Sequence, residues 1–322
     1  MADQATTAQP LLLAGAKKKS FRQILGERIA TLQDVAEKKA RGEEVHLSIP
    51  TGLRAWDEVG GIERGVLTTI GAATGDGKSI VALHLATAAA KHGYKVLLLS
   101  FEDPVGKTAD RTLSAATGLD NKTIGKAELD DFDMGMLISA TKDAAWAENI
   151  DVCAGLRDAE AVMKIIKEGG YDLILVDYAQ AFPEMAGMTM ENTIRRFSLE
   201  VNAIAQTQNS AIIIFSQLKG DIDVRGRKQW DNAKYRDPKA RDVSAYCPSG
   251  LTDVAWAKAL ADQSKYLLYI WRPYRMLKKL TGDKSIRDNR LRIIAGKANF
   301  AGEDDLEFEF DGPTATIRDL EK

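Results

Sequence analysis

The sequence predicts an α/β fold, a mostly parallel twisted sheet with helices on both faces. Three observations predict it. From Pro50 onward, short apolar runs bounded by turn residues alternate with helical patterns. One such run, Val66 to Ile70, leads through a Gly-rich turn and a Lys-Ser pair into a helical pattern. Three other runs end on Glu102, Asp177 and Gln217, at the carboxyl strand ends where open α/β sheets bind ligands.

Taken in order, residues 1–19 read as a flexible tail. Ser20 can cap a helix, with Phe21, Ile24, Leu25, Ile29, Leu32 and Val35 on one face. The pattern stops near Arg41-Gly42, where glycine suits a helix end. Such a helix either packs on its own core or docks as an arm on a neighbouring subunit. Lys95–Phe101 reads as a buried strand, and 105–117 and about 127–147 as helices. A short strand at 150–153, a helix at 157–168 and a central strand at 172–177 follow. Next come a helix at 190–207 and a central strand at 211–216. Residues 219–250 read as a long loop. Strands at 266–271 and 291–294 precede a terminal hairpin, 306–310 and 314–317, turning on Asp311-Gly312.

Composition narrows the function classes. The chain holds 322 residues, 45% of them hydrophobic, enough for a sizeable core. Its net charge of -2 excludes global basicity, so a nucleic-acid site must be local. Cys153 and Cys247 lack metal-ligand spacing and read as structural thiols of a reduced, cytoplasmic protein. No apolar run is long enough to span a membrane.

The chemistry centres on Gly71-Ala72-Ala73-Thr74-Gly75-Asp76-Gly77-Lys78-Ser79. Small residues let backbone N–H groups point at phosphate oxygens, and the following helix N-terminus adds positive potential. This is the layout of a P-loop, except that Ala72 stands where the strict pattern has glycine. Residues Ala73, Thr74, Gly75, Asp76, Gly77, Lys78, Ser79 and Ile80 form the expected phosphate cradle. Lys78 can reach the β- and γ-phosphates, while Ser79 and Asp177 can hold Mg²⁺. Arg272, directly after the 266–271 strand, joins the nucleotide-binding set. Glu102 is the candidate for activating water, with Asp103 a close rival. Gln217 can sense the γ-phosphate and pass its loss to the next segment. Between 219 and 241 there are eight Lys and Arg against four Asp, with Trp230 and Tyr235 among them. Charge beside rings suits single-stranded nucleic acid, and Arg225, Arg227 and Lys228 are the candidates to meet it.

Together, from about residue 21 to the C-terminus, these motifs resemble the RecA-like ATPase domain of DnaB-type replicative helicases. Ile49-Pro50-Thr51-Gly52-Leu53, then Trp56-Asp57-Glu58 and Gly60-Gly61, is similar to that family's approach to the P-loop. Ala72 is usual in the family. Ser100-Phe101-Glu102, the helix with Arg111-Thr112-Leu113-Ser114, Asp177-Tyr178-Ala179-Gln180 and Ser216-Gln217-Leu218 complete the match in order and spacing. The resemblance implies a homo-oligomeric, hexameric ring that uses Mg-ATP to move along single-stranded DNA. It also implies a primase or helicase loader as partner. Residues 20–48 then resemble the linker helix that docks on a neighbouring subunit, and 49–322 the ATPase domain. The family's N-terminal helical domain has no counterpart, since only the tail precedes the linker helix.

Two departures modify this expectation. The family's Lys-x-Arg pair, which supplies an arginine finger to the neighbour, aligns with Lys297-Ala298-Asn299. Lys297, Arg290 or Arg292 then takes the role, or turnover is low. The family's DNA-loop segment aligns with Asp253-Val254-Ala255-Trp256-Ala257-Lys258, where Ala255 replaces its arginine and Lys258 its glycine. Lys258 becomes a DNA-binding candidate. The alternative reading is a RecA- or KaiC-like ATPase, or an ATP-binding assembly or loader protein, that does not unwind.

Overall fold

The computed structural model of the protein describes residues 19–43, 45–156, 158–236, 243, 246–248, 253–255, 257–286, 289–297 and 305–321. For 221, 223, 232–236, 257 and 258 it describes the backbone alone. The chain divides into two units, Met1–Leu47 and Ser48–Lys322.

The first unit carries α1 (Phe21–Ala40). Ser20 and Gln23 form a capping box: the Ser20 hydroxyl accepts from the Gln23 N–H at 3.3 Å, and the Gln23 side chain accepts from the Ser20 N–H at 2.8 Å. Lys38 and Lys39 in the last turn suit the negative end of the helix. No residue of α1 is buried, and Phe21 is 73% exposed.

The second unit begins with α2 (Arg54–Glu58), then β1 (Leu67–Ala72), α3 (Lys78–Lys91), β2 (Val96–Ser100), α4 (Val105–Thr117) and α5 (Asn121–Gly125). It continues through α6 (Asp131–Lys142), β3 (Ile150–Ala154), α7 (Ala159–Glu168), β4 (Leu173–Asp177), α8 (Met190–Gln208) and β5 (Ala211–Gln217). The last elements are α9 (Asp221–Arg236), α10 (Ala257–Gln263), β6 (Tyr266–Trp271), α11 (Pro273–Thr281), β7 (Arg290–Lys297), β8 (Asp305–Asp311) and β9 (Thr316–Asp319).

Among the described residues, nine strands join one sheet in the order β3-β2-β4-β5-β1-β6-β7-β8-β9. Pairing is parallel from β3 through β6 and antiparallel from β6 to β9. The expected mostly parallel sheet with helices is therefore present. The apolar runs are continuous because both faces are covered. In β4, Leu173 and Leu175 pack in the layer with Val81, Leu85 and Ala89 of α3. Ile174 and Val176 point the other way, into the layer with Val162 and Ile166 of α7 and Phe197 and Val201 of α8. The same alternation of period two holds in β2 and β5.

Several boundaries differ from the sequence reading. The helix expected at 127–147 is shorter, because Asp130 caps α6 by accepting from the Asp133 N–H at 2.8 Å. A 3-10 turn, Ala145–Asn149, follows. The terminal hairpin turns through four residues, Gly312 to Ala315, rather than on Asp311-Gly312 alone, since Asp311 pairs with Thr316. The largest correction is α9, which occupies much of the segment expected to be a loop. Its sequence is polar on nearly every side and carries no clear helical period. Tertiary packing supplies what periodicity lacks: Ile222 is buried, and the Tyr246 ring lies where a Cβ on Gly226 would sit, 2.4 Å away.

Candidate active site

β1 delivers the chain to the P-loop at the sheet's carboxyl edge, between β5 and β6. Gly75 and Gly77 both have positive φ, 78° and 105°. Each is also crowded: a Cβ on Gly75 would lie 2.5 Å from an Arg275 nitrogen, and one on Gly77 2.6 Å from the Phe310 ring. Only glycine fits either position. Immediately after Gly77, α3 begins and aims its N-terminus into the cleft.

The cleft has a volume of about 340 Å³. Thr74, Gly75, Gly77, Lys78, Ser79, Ile80, Glu102, Gln217 and Arg272 line it, so the structure brings most of the predicted residues together. Lys78 is 8% exposed, with its ammonium 5.6 Å from the centre of the Tyr178 ring. Burial pulls its pKa down, against the carboxylates of Asp177, Glu102 and Asp76. Asp177, 4% exposed, ends β4 beside Ser100 of β2. Burial pushes its carboxyl up, while the neighbouring Ser79 hydroxyl and the positive charge of Lys78 pull it down. Its Oδ1 is buried and has no hydrogen-bond partner among the described residues. A buried, unpartnered carboxylate oxygen beside a serine hydroxyl fits a divalent cation and its waters. No cluster of three or more His, Cys, Asp or Glu among the described residues could hold a metal alone.

The two rival carboxylates separate clearly. Asp103 is engaged: Arg111 donates to it at 2.6 Å and Lys107 at 3.4 Å. Glu102 is exposed on the cleft wall and makes no ion pair among the described residues. It is the carboxylate available to a water molecule.

Gln217 touches the P-loop directly, its Nε2 donating to Thr74 Oγ1 at 2.7 Å. Its own carbonyl accepts from the Ala255 N–H at 2.9 Å, and Lys219 N–H donates to the Asp253 carbonyl at 2.9 Å. Leu218 and Val254 form a bridge between the two segments. The stretch expected to meet DNA is therefore bonded to the strand that bears Gln217. Arg225 of α9 reaches Asp253 at 3.4 Å. Arg227 and Lys228 are exposed on the same helix. Trp256, Asn299 and the side chains of Tyr235 and Lys258 lie outside the described residues.

Lys297 is not in this chain's cleft. Its ammonium donates to the Ala261 and Ser264 carbonyls, both at 2.6 Å, and so caps the end of α10. Arg290 and Arg292 are also occupied: Arg290 pairs with Glu307 at 3.8 Å, and Arg292 pairs with Glu307 at 3.3 Å and with Asp305.

Five residues escaped the sequence reading of the cleft. Arg111, Phe310 and Gly312 line it. Phe310 stacks on Arg272, whose guanidinium carbon lies 3.9 Å from the ring centre. Burial lowers the Arg272 pKa to about 10. Gln180 binds β4 to β5: it donates to Ser216 Oγ at 2.7 Å and accepts from the Gln217 N–H at 3.1 Å. Arg275 clasps the P-loop through Asp76 at 2.6 Å and the Thr74 carbonyl at 3.1 Å. Arg111 and Gln180 lie inside the motifs that carry the family resemblance, and Phe310 and Gly312 are legible only as parts of a hairpin. Phe310, Gly312 and Arg275 lie far along the chain, where no local pattern announces their meeting with the P-loop.

The model of the DnaB-like helicase C-terminal domain matches residues 48–243. Among solved structures, one of an ATPase domain matches with a TM-score of 0.72 at 17% identity, over 95% of this chain and 100% of that one. A DnaB-like replicative helicase, solved with attention to its interactions with primase, gives 0.70 at 17% identity, over 95% and 68%. The RadB recombinase gives 0.50 at 16% identity, over 85% and 100%. No curated protein sequence matches. The structural likenesses establish the fold, RecA-like. With a family model covering more than half of the residues and a P-loop cleft of matching chemistry, the chain belongs to the family of DnaB-like helicase C-terminal domains.

Proposed function

We propose that the protein is an ATP-dependent replicative DNA helicase that assembles as a ring, a hexamer, and translocates on single-stranded DNA. The observation that best supports this is the bonded path from the P-loop to the basic helix. It runs from Thr74 through Gln217 to the 253–255 segment and on through Arg225 to α9. A nucleotide-dependent shift at Thr74 has a direct route to a surface bearing Arg225, Arg227 and Lys228.

The geometry of the cleft supports the following roles. Backbone N–H groups of residues 73–80 and the Lys78 ammonium hold the triphosphate. Ser79 and Asp177 would hold Mg²⁺, which would supply positive charge against the phosphates. Glu102 orients and deprotonates the attacking water. Gln217 reports loss of the γ-phosphate, and Arg272 on Phe310 forms one wall of the nucleotide cleft. Lys297 can meet a neighbour's γ-phosphate only by leaving the two carbonyls it now caps. In the assembled protein, α1 docks on a neighbouring subunit, a primase or loader is the partner class, and the setting is cytoplasmic. No helix among the described residues is long and apolar enough to cross a membrane.

A second reading is a binding or loader protein of low turnover. It is favoured by the engagement of Arg290, Arg292 and Lys297 within their own chain. ATP hydrolysis with and without single-stranded DNA, beside Lys78→Ala, tests the choice. Strong stimulation by DNA that disappears in Lys78→Ala is expected. Hydrolysis indifferent to DNA would sink the translocase reading.

A further inference from the structure

A carboxylate is an odd occupant of a loop built to hold polyphosphate. Asp76 lies within the P-loop, one residue before Gly77, and its side chain is 5% exposed. Burial pushes its carboxyl up in pKa, while Arg275, Arg272 and Lys78 pull it down. Unpaired, its ionised form would oppose the incoming phosphates at close range.

Arg275 meets that problem from a distant part of the chain. It lies in the first turn of α11, which starts at Pro273 just after β6. One guanidinium nitrogen donates to Asp76 Oδ1 at 2.6 Å, and the other to the Thr74 carbonyl at 3.1 Å. The fork passes over Gly75, where a Cβ would lie 2.5 Å from a guanidinium nitrogen and push it aside. On its other side α11 is anchored, with Met276 and Leu277 buried against Val243, Tyr246 and Trp271. The reach of Arg275 is therefore fixed by packing rather than chosen by a free surface side chain. Thr74 is held twice, at its carbonyl by Arg275 and at its hydroxyl by Gln217.

We infer that Arg275 is a positioning residue for the nucleotide: it neutralises Asp76 and fixes the Thr74–Asp76 backbone, so that an acidic P-loop can accept a triphosphate. This rests on the nucleotide-site reading above. The planar fork matters as well as the charge, because lysine cannot bond a carboxylate and a carbonyl in the same rigid geometry.

The experiment is titration of a fluorescent ATP analogue into the full chain, its Arg275→Gln, Asp76→Asn and Arg275→Lys variants, and the Asp76→Asn/Arg275→Gln double variant. Melting temperatures are recorded in parallel. Arg275→Gln is expected to weaken binding by roughly tenfold or more, because it leaves an unpaired buried carboxylate within the phosphate-binding loop. Arg275→Lys should fall between it and the parent. The double variant should recover most of the loss. Asp76→Asn alone, which leaves an extra cation, should bind at least as tightly as the parent. A merely structural clasp predicts the reverse, with the double variant no better than Arg275→Gln. Unchanged affinity in Arg275→Gln, no recovery in the double variant, or weaker binding by Asp76→Asn would each overturn the inference. Should Arg275→Gln fail to fold, the Asp76→Asn result decides it. A parent protein that binds no analogue, while still folded, overturns the nucleotide-site reading and this inference with it.

Discussion

Lys78 and Asp177 illustrate how burial sets chemistry at single residues. Both are charged groups placed under the sheet edge, and burial works against the charge of each. A triphosphate restores what Lys78 loses. Its pKa must then be higher in the complex than in the free protein, so between the two values the complex binds more protons. Within that window ATP binding should take up a proton, and affinity should fall as pH rises through the depressed Lys78 pKa. Calorimetry in buffers of different ionisation enthalpy measures this, and Lys78→Met should abolish the uptake. Glu102 belongs at the same scale. Glu102→Gln should keep nucleotide binding and lose turnover by about 10²–10⁴-fold, as expected for a general base. Equal turnover in rapid-quench assays would remove Glu102 from that role. Lys78, Ser79 and Asp177 were legible in the sequence because a strand, a turn and a helix start place them locally. Arg275 and Phe310 were not, because their meeting with Gly75 and Gly77 spans some two hundred residues of chain.

Among elements, α9 shows where pattern reading stops. Its basic content was visible, but its helical form was not, since few apolar positions mark a face. Packing of Ile222, and of Tyr246 against Gly226, holds it. A helix fixes the spacing of Arg227 and Lys228, which a loop would not. If these bind phosphates, Arg227→Glu with Lys228→Glu should weaken single-stranded DNA binding without sequence preference. The slope of log affinity against log salt should flatten by about 0.7 for each phosphate no longer neutralised. Fluorescence anisotropy across a salt series reads both effects, and an unchanged slope would place the DNA elsewhere. β4 and β5 behaved oppositely. Their unbroken apolar runs already required a strand covered on both faces, and the two core layers supply that cover.

At the scale of the whole molecule, α1 is a well-capped helix whose apolar residues Phe21, Ile24, Leu25, Ile29 and Leu32 are all exposed. An exposed apolar stripe of that kind supports the proposed docking of α1 on a neighbouring subunit. If the parent assembles as proposed, replacing Phe21, Ile24 and Ile29 by serine should leave monomers in sedimentation velocity. An unchanged sedimentation coefficient would separate α1 from assembly. The sequence by itself determined the alternating α/β order, the P-loop, the two strand-end carboxylates and the glutamine. Each depends on neighbours a few residues away, and local geometry decides it. Only the tertiary structure decided that Asp103 is spent on Arg111 while Glu102 is available, that Lys297 caps α10, and that Arg275 clasps Asp76. Those outcomes depend on which distant side chains the sheet order brings within hydrogen-bond reach. A linear pattern carries no record of such distances.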